Sequence, residues 1–153
     1  MIEAHQYSAE VDEERHGGVA NAGAVVRQGP HVLRPSNEHS ASIHQALSAL
    51  RFHGFEGASN PVGVDADGRE RLEFIEGDVP LPPYPQWARS DEALTSTAVL
   101  MRSMHDASAA IDLTVGTWSN EMADPLGGSV LCHNDICLEN VVFRDGRAVA
   151  FLD

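Results

Sequence analysis

The run Pro80-Leu81-Pro82-Pro83-Tyr84-Pro85 divides this chain. Proline lacks the amide hydrogen that a helix or a sheet ladder uses, and its ring fixes φ. No regular element can therefore cross the stretch "EGDVPLPPYPQWARS", residues 76–90. It reads as a connector, with one lobe over residues 1–77 and the start of a second over 78–153.

Before the connector the patterning is mostly that of short strands. "GGVANAGAVVRQGPHVLRP" reads as a small-residue loop and two strands, with Val25 and Val26 on one side of the turn Gln28-Gly29-Pro30 and Val32 and Leu33 on the other. A helix follows, because Ile43, Ala46, Leu47 and Leu50 recur at helical spacing. Ser36 or Ser40 can cap its start, and Gly54 sits where a C-terminal cap belongs. "PVGVD" and "RLEFI" are strand-like and flank the turn "ADG".

After the connector, a second helix is expected from about Asp91 to about Ala109, with Leu94, Ala98, Met101 and either His105 or Met104 on its inner face. Asp91 and Glu92 suit the positive end of its dipole. "SVLC" reads as a short strand, and "VVFR" and "RAVAFL" form a hairpin about Asp145-Gly146. Strands dominate early and helices later, so the expected class is α+β, not alternating α/β.

The 153 residues suffice for a core, and 42% hydrophobic residues is a globular composition. Twenty-three acidic residues against ten Lys plus Arg give a formal charge of -13. That charge argues against nucleic-acid or anionic-membrane partners, which need a positive stripe. Cys132 and Cys137 make no disulfide framework and fit a reducing compartment. The first fifteen residues lack the basic start and apolar core of a signal peptide, and no apolar run approaches a membrane span. A cytoplasmic location is the expectation.

The densest chemistry is in "LCHNDICLENVVFRDGRAVAFLD", residues 131–153. Asp135 and Asn140 flank a loop, and Asp153 ends the hairpin that follows. Phosphoryl transfer requires a set of this kind. One carboxylate accepts or orients the proton of an attacking hydroxyl, while a second carboxylate and an amide oxygen hold Mg²⁺ against nucleotide phosphates.

The spacing His133-x-Asp135-x-x-x-x-Asn140, with Asp153 beyond, resembles the protein-kinase catalytic loop and metal aspartate. In detail the block is closer to the aminoglycoside phosphotransferase family, which shares the kinase-like fold. The resemblance implies an antiparallel-sheet N-lobe and a helical C-lobe, with transfer of the ATP γ-phosphate to a hydroxyl of a small molecule. It implies Asp135 as catalytic base, Asn140 and Asp153 as Mg²⁺ ligands and His133 as a structural residue of the loop. Upstream, Gly17 and Gly18 resemble the phosphate loop, and "RERLEFIEGDVP" resembles the last N-lobe strand and the hinge that receives adenine, around Phe74 and Ile75. "LMRSMHDAS" resembles the helix before the catalytic loop. The likeness spans roughly residues 17 to 153.

Two departures stand out. Kinases pair a strand lysine with a helix glutamate, whereas here the equivalent positions carry Arg34 and His44. Arg34 retains a fixed charge and a fork suited to phosphate, and its expected partner is Glu38 or none. Family members also continue past the metal aspartate, so the sequence implies a truncated chain. Met101, Val141, Val142, Val149 and Phe151 would then lack part of their cover and favour self-association.

Rival readings remain open. One is a non-catalytic nucleotide-binding or interaction remnant. Another is a small metal protein built on Cys132, His133, Asp135 and Cys137, weighed against cysteines that are merely small, buried and apolar. The acceptor substrate is not written in these residues.

Overall fold

Strand ladders organise the first half of the chain. The computed structural model describes residues 13–14 and 25–152. Within them lie β1 (Glu13–Glu14), β2 (Val26–Gln28), β3 (His31–Pro35), α1 (Ser40–Phe52), β4 (Pro61–Val64) and β5 (Arg69–Glu73). The five strands form one antiparallel sheet in the order β1-β2-β3-β5-β4. Gly29, at φ 57, turns β2 into β3, and Asp65 organises the turn from β4 to β5 by accepting the amides of Asp67 and Arg69.

Helix α1 begins differently from the sequence expectation. Neither candidate serine caps it: Ser36 Oγ donates to the Gly68 carbonyl, and Ser40 turns toward the sheet. Asn37 organises the start instead, its Oδ1 accepting the His39 amide at 2.8 Å. The far end follows the expectation. Gly54, at φ 89, donates to Arg51 and Phe55 donates to Leu50, a pair of bonds that satisfies the last helical carbonyls. Leu50 and Phe55 both enter the core.

Beyond the connector come α2 (Asp91–Ser108), β6 (Val141–Arg144) and β7 (Arg147–Phe151). Ser90 caps α2 by accepting the Ala93 amide at 3.1 Å. The inner face of α2 is rotated from the expected one. Ala93, Ser96, Met104, Ala107 and Ser108 are buried, while Leu94 is 70% and Met101 37% exposed. The reason lies in two hydroxyls. Ser96 Oγ accepts the Ala148 amide at 2.9 Å, and Ser108 Oγ accepts the Leu131 amide at 3.1 Å. Each serine also returns its own proton to a carbonyl of α2, so both are satisfied inside. An apolar count cannot find a face that contains such residues.

"SVLC" is not a strand. The segment runs past Ser108 with no ladder of its own, which corrects the sequence reading. The β6–β7 hairpin forms as expected, with Asp145 and Gly146 both at positive φ (52 and 76) in the tight turn. Val141, Val142 and Phe151 are 1%, 1% and 4% exposed, contrary to the loss of cover expected for them, whereas Val149 is half-buried and Met101 exposed. Among the described residues no helix is long and apolar enough to cross a membrane.

One cluster joins the two halves: Leu50, Phe55, Ala93, Met104, Ala107, Val141, Phe143 and Phe151. Backbone bridges reinforce it. Asp78 and Phe143 exchange hydrogen bonds of 2.8 Å, and the Phe151 amide donates to Gly57. Gly77 makes the first approach possible. It sits at φ 148, where a Cβ would come within 2.5 Å of Val142 Cγ1 and 2.6 Å of the Phe143 carbonyl oxygen. Gly77→Ala should therefore destabilise the fold by about 2–4 kcal/mol, combining backbone strain and overpacking. Gly68→Ala, at φ 78 with open space around it, should cost only about 1 kcal/mol. Urea denaturation midpoints compare the two, and equal shifts would exclude a tight Gly77 contact.

Candidate functional site

The loop after α2 is wound against the end of the hairpin. Ser108 fixes its beginning through Leu131, and residues Leu138–Asn140 form a 3-10 turn that leads into β6. Between these anchors lie His133, Asn134 and Asp135, with Asn134 at φ 64. That conformation is uncommon outside glycine, though asparagine tolerates it best. Asp135 is exposed and Asn140 is 4% exposed.

Asn140 holds the loop closed. Its Nδ2 donates to the Asp135 carbonyl at 3.0 Å and to Asp135 Oδ2 at 2.9 Å. With the amide nitrogen committed to Asp135, the remaining side-chain atom of Asn140 is an acceptor oxygen, the donor type hard cations take. The end of β7 is clamped at the same place. Leu152 donates its amide to the Asn140 carbonyl at 2.8 Å, and its own carbonyl lies 2.8 Å from His133 Nε2. The His133 ring also meets Phe151 edge-on at 5.5 Å. Thus the structure brings together His133, Asp135, Asn140 and the residue just before Asp153. Asp153 itself lies outside the described residues, as do Gly17 and Gly18.

The connector touches this loop as well. Tyr84 donates its hydroxyl to Glu139 Oε1, and Trp87 packs edge-on against Phe143 at 5.3 Å. The shared hydrogen bond raises the Tyr84 pKa and lowers that of Glu139. Cys132 and Cys137 are exposed, so neither is the buried apolar residue expected. Burial of its sulfur nonetheless pushes the Cys137 thiol up. Among the described residues no group of three or more His, Cys, Asp or Glu could hold a metal ion, which leaves the metal-protein reading without support from them.

The candidate nucleotide residues lie on the first sheet and its exit. The Phe74 amide donates to the Pro30 carbonyl at 2.8 Å, extending the β3–β5 ladder, and Arg27 stacks over the Phe74 ring at 3.8 Å. Ile75 is half-buried one residue further on. Arg34 has a partner the sequence reading did not name. Its Nε donates to Glu70 Oε2 at 2.7 Å, and the two residues face each other in the β3–β5 register. The expected partner Glu38 instead lies at 4.0 Å from His39.

Glu70 is 1% exposed and is met from three directions. Ser40 of α1 donates to its Oε1, Arg34 to its Oε2, and His44 Nε2 stands 3.5 Å from that second oxygen. His44 Nε2 is itself buried without a hydrogen bond. Burial acts to raise the Glu70 pKa, but the hydrogen bonds from Ser40 and Arg34, with the charges nearby, outweigh it and hold the carboxyl below its ordinary range. A signal for Glu70 did exist in the sequence: strand alternation puts it on the same face as buried Leu72.

A cavity of about 490 Å³ lies elsewhere, against His53, Phe55, Val99, Arg102 and Asp106, and none of the candidate site residues lines it.

Comparison with known proteins gives one curated likeness to report. The chain is 34% identical over 134 residues to the trifolitoxin immunity protein of Rhizobium leguminosarum bv. trifolii, across 84% of this chain. It spans about half (50%) of that protein's length. No family model matches the sequence, and no solved structure matches the chain.

The Glu70 cluster sets a pH dependence. A carboxylate whose folded pKa is depressed adds stability above its unfolded pKa, and that stability is lost as pH falls through the folded value. Glu70→Gln should cost about 1–3 kcal/mol near neutral pH. The gap from the parent should close as pH drops below the ordinary carboxylate range. Denaturation midpoints of both proteins between pH 7 and pH 3 test this, and a gap that widens on acidification would contradict the geometry.

Proposed function

We propose that this chain is part of a kinase-like phosphotransferase that binds Mg-ATP and moves the γ-phosphate to a hydroxyl of a small molecule. One observation carries the reading: Asn140 ties down Asp135 while Asn140 and His133 together clamp Leu152. A loop carboxylate, an amide oxygen and the residue preceding a second carboxylate thus converge on one spot. The α+β architecture, with an antiparallel sheet before the connector and a helix and hairpin after it, agrees with the N-lobe and the first part of a C-lobe.

In this reading Asp135 orients the acceptor hydroxyl and takes its proton, with Asn140 fixing the angle of the carboxylate. Asn140 and Asp153 would hold Mg²⁺, which supplies charge neutralisation at the phosphates when bound. Gly17, Gly18 and Arg34 would face the phosphates, and the backbone around Phe74 and Ile75 would receive the base. The Phe74 amide already serves the sheet, so the donor to a base would come from beyond it.

Titration calorimetry with Mg-ATP tests the metal assignment. Asp153→Ala should weaken binding strongly, whereas Asp135→Asn should leave it nearly intact. In the protein extended to the length of its relative, Asp135→Asn should lower turnover by at least about a hundredfold. Unimpaired Mg-ATP binding by Asp153→Ala, or turnover of Asp135→Asn near that of the parent, would defeat the assignment.

The likeness to the trifolitoxin immunity protein favours a second reading, in which the chain contributes to protection against a toxin. Protection could rest on binding alone or on modification of a hydroxyl. Trifolitoxin-sensitive cells expressing the parent or Asp135→Asn separate these. Survival with both variants indicates binding, survival with the parent alone indicates transfer, and survival with neither removes the second reading.

A further inference from the structure

We infer that Glu70 is the positioning residue for Arg34 in the nucleotide site, and that this positioning is set by the sheet and not by helix α1. The inference rests on the reading of Arg34 as a phosphate contact. A guanidinium is planar, so a hydrogen bond at Nε fixes both its rotation and the direction its plane faces. Here that bond comes from Glu70 at 2.7 Å. Arg34 and Glu70 are direct partners in the antiparallel register, flanked by the pairs Leu33–Arg71 and Pro35–Arg69. Their side chains are 14% and 2% exposed, so the pair is shielded from competing water.

Helix α1 reaches the same carboxylate through separate links that do not involve Arg34. Ser40 occupies the other oxygen, and His44 stands 3.5 Å away with no hydrogen bond at its Nε2. A displacement of α1 would break those links and leave the cross-strand pair standing. The helix position at which the resemblance called for a carboxylate holds His44, and the carboxylate is supplied by the neighbouring strand. Orientation of the cation is therefore built into the β3–β5 ladder.

The experiment compares Mg-ATP with adenosine, which carries no phosphate, as ligands for the purified chain by calorimetry. Arg34→Gln and Glu70→Gln should each weaken Mg-ATP binding about tenfold or more while leaving adenosine binding unchanged. The double variant should lose little beyond either single one, because both remove the same contact. Ser40→Ala and His44→Gln, which cut only the links to α1, should keep the parental ratio of the two affinities. Equal loss of both ligands in Glu70→Gln would reveal a merely structural role and overturn the inference. So would a collapse of the ratio in Ser40→Ala or His44→Gln, a comparison that stands even if Glu70→Gln folds poorly. A parent that binds neither ligand would instead defeat the nucleotide-site reading, and this inference with it.

Discussion

Phe143 is fully buried, and its backbone exchanges two hydrogen bonds with Asp78 while its ring meets Trp87. Through this one residue the connector, the terminal hairpin and the core are held in a fixed relation. The proline run of the connector forms no helix or strand, since its prolines remove donors, and only a 3-10 turn at Gln86–Arg89 follows it, so the path of the run must be set by what it touches. Phe143 supplies that contact at its start, through Asp78, and at Trp87. The glycine at 77 is a direct consequence, because only a residue without Cβ can pass so close to Val142 and Phe143.

The loop that carries His133 and Asp135 depends on the same frame at one remove. Helix α2 packs on β7 and offers two buried serine hydroxyls, one to the hairpin at Ala148 and one to the loop at Leu131. These bonds have a definite geometry, which apolar packing alone lacks, and so they fix the register of loop against hairpin. Asn140 then closes the loop on Asp135, and His133 closes it on Leu152. Within the site Asn140 is buried, His133 is half-buried and Asp135 is exposed, so the Asp135 carboxylate faces solvent while its backbone is tied to the scaffold.

The first sheet carries a second buried polar centre, around Glu70. An isolated carboxylate at that depth would be strongly disfavoured, and it persists because a guanidinium and a hydroxyl satisfy both of its oxygens. This centre joins β3, β5 and α1, so it also determines how α1 sits on the sheet. Ser42, buried on a different side of α1 from Ser40, accepts the Thr117 amide at 2.7 Å and ties the long loop after α2 to α1. Buried hydroxyls thus recur as the connecting device of this protein, on α1 as on α2.

From its sequence alone, the chain was legible as α+β, with the hairpin turn at Asp145-Gly146, the C-terminal end of α1 at Gly54 and the extent of α2 all readable. Each of these rests on local chemistry: a positive φ, a missing donor, a helical repeat. The grouping of His133, Asp135 and Asn140 was readable for the same reason, since all lie within one short loop. What only the tertiary structure decided were the relations between distant residues. The inner face of α2 was misread because Ser96 and Ser108, polar by composition, are buried against the amides of Ala148 in the hairpin and Leu131 in the loop, partners that lie far along the chain and are reached only on folding. The partner of Arg34 was missed because Glu70 lies thirty-six positions away and becomes its neighbour only through the β3–β5 register. Local conformational preference is written in consecutive residues, whereas the satisfaction of a buried polar group depends on which strands and helices the fold sets side by side.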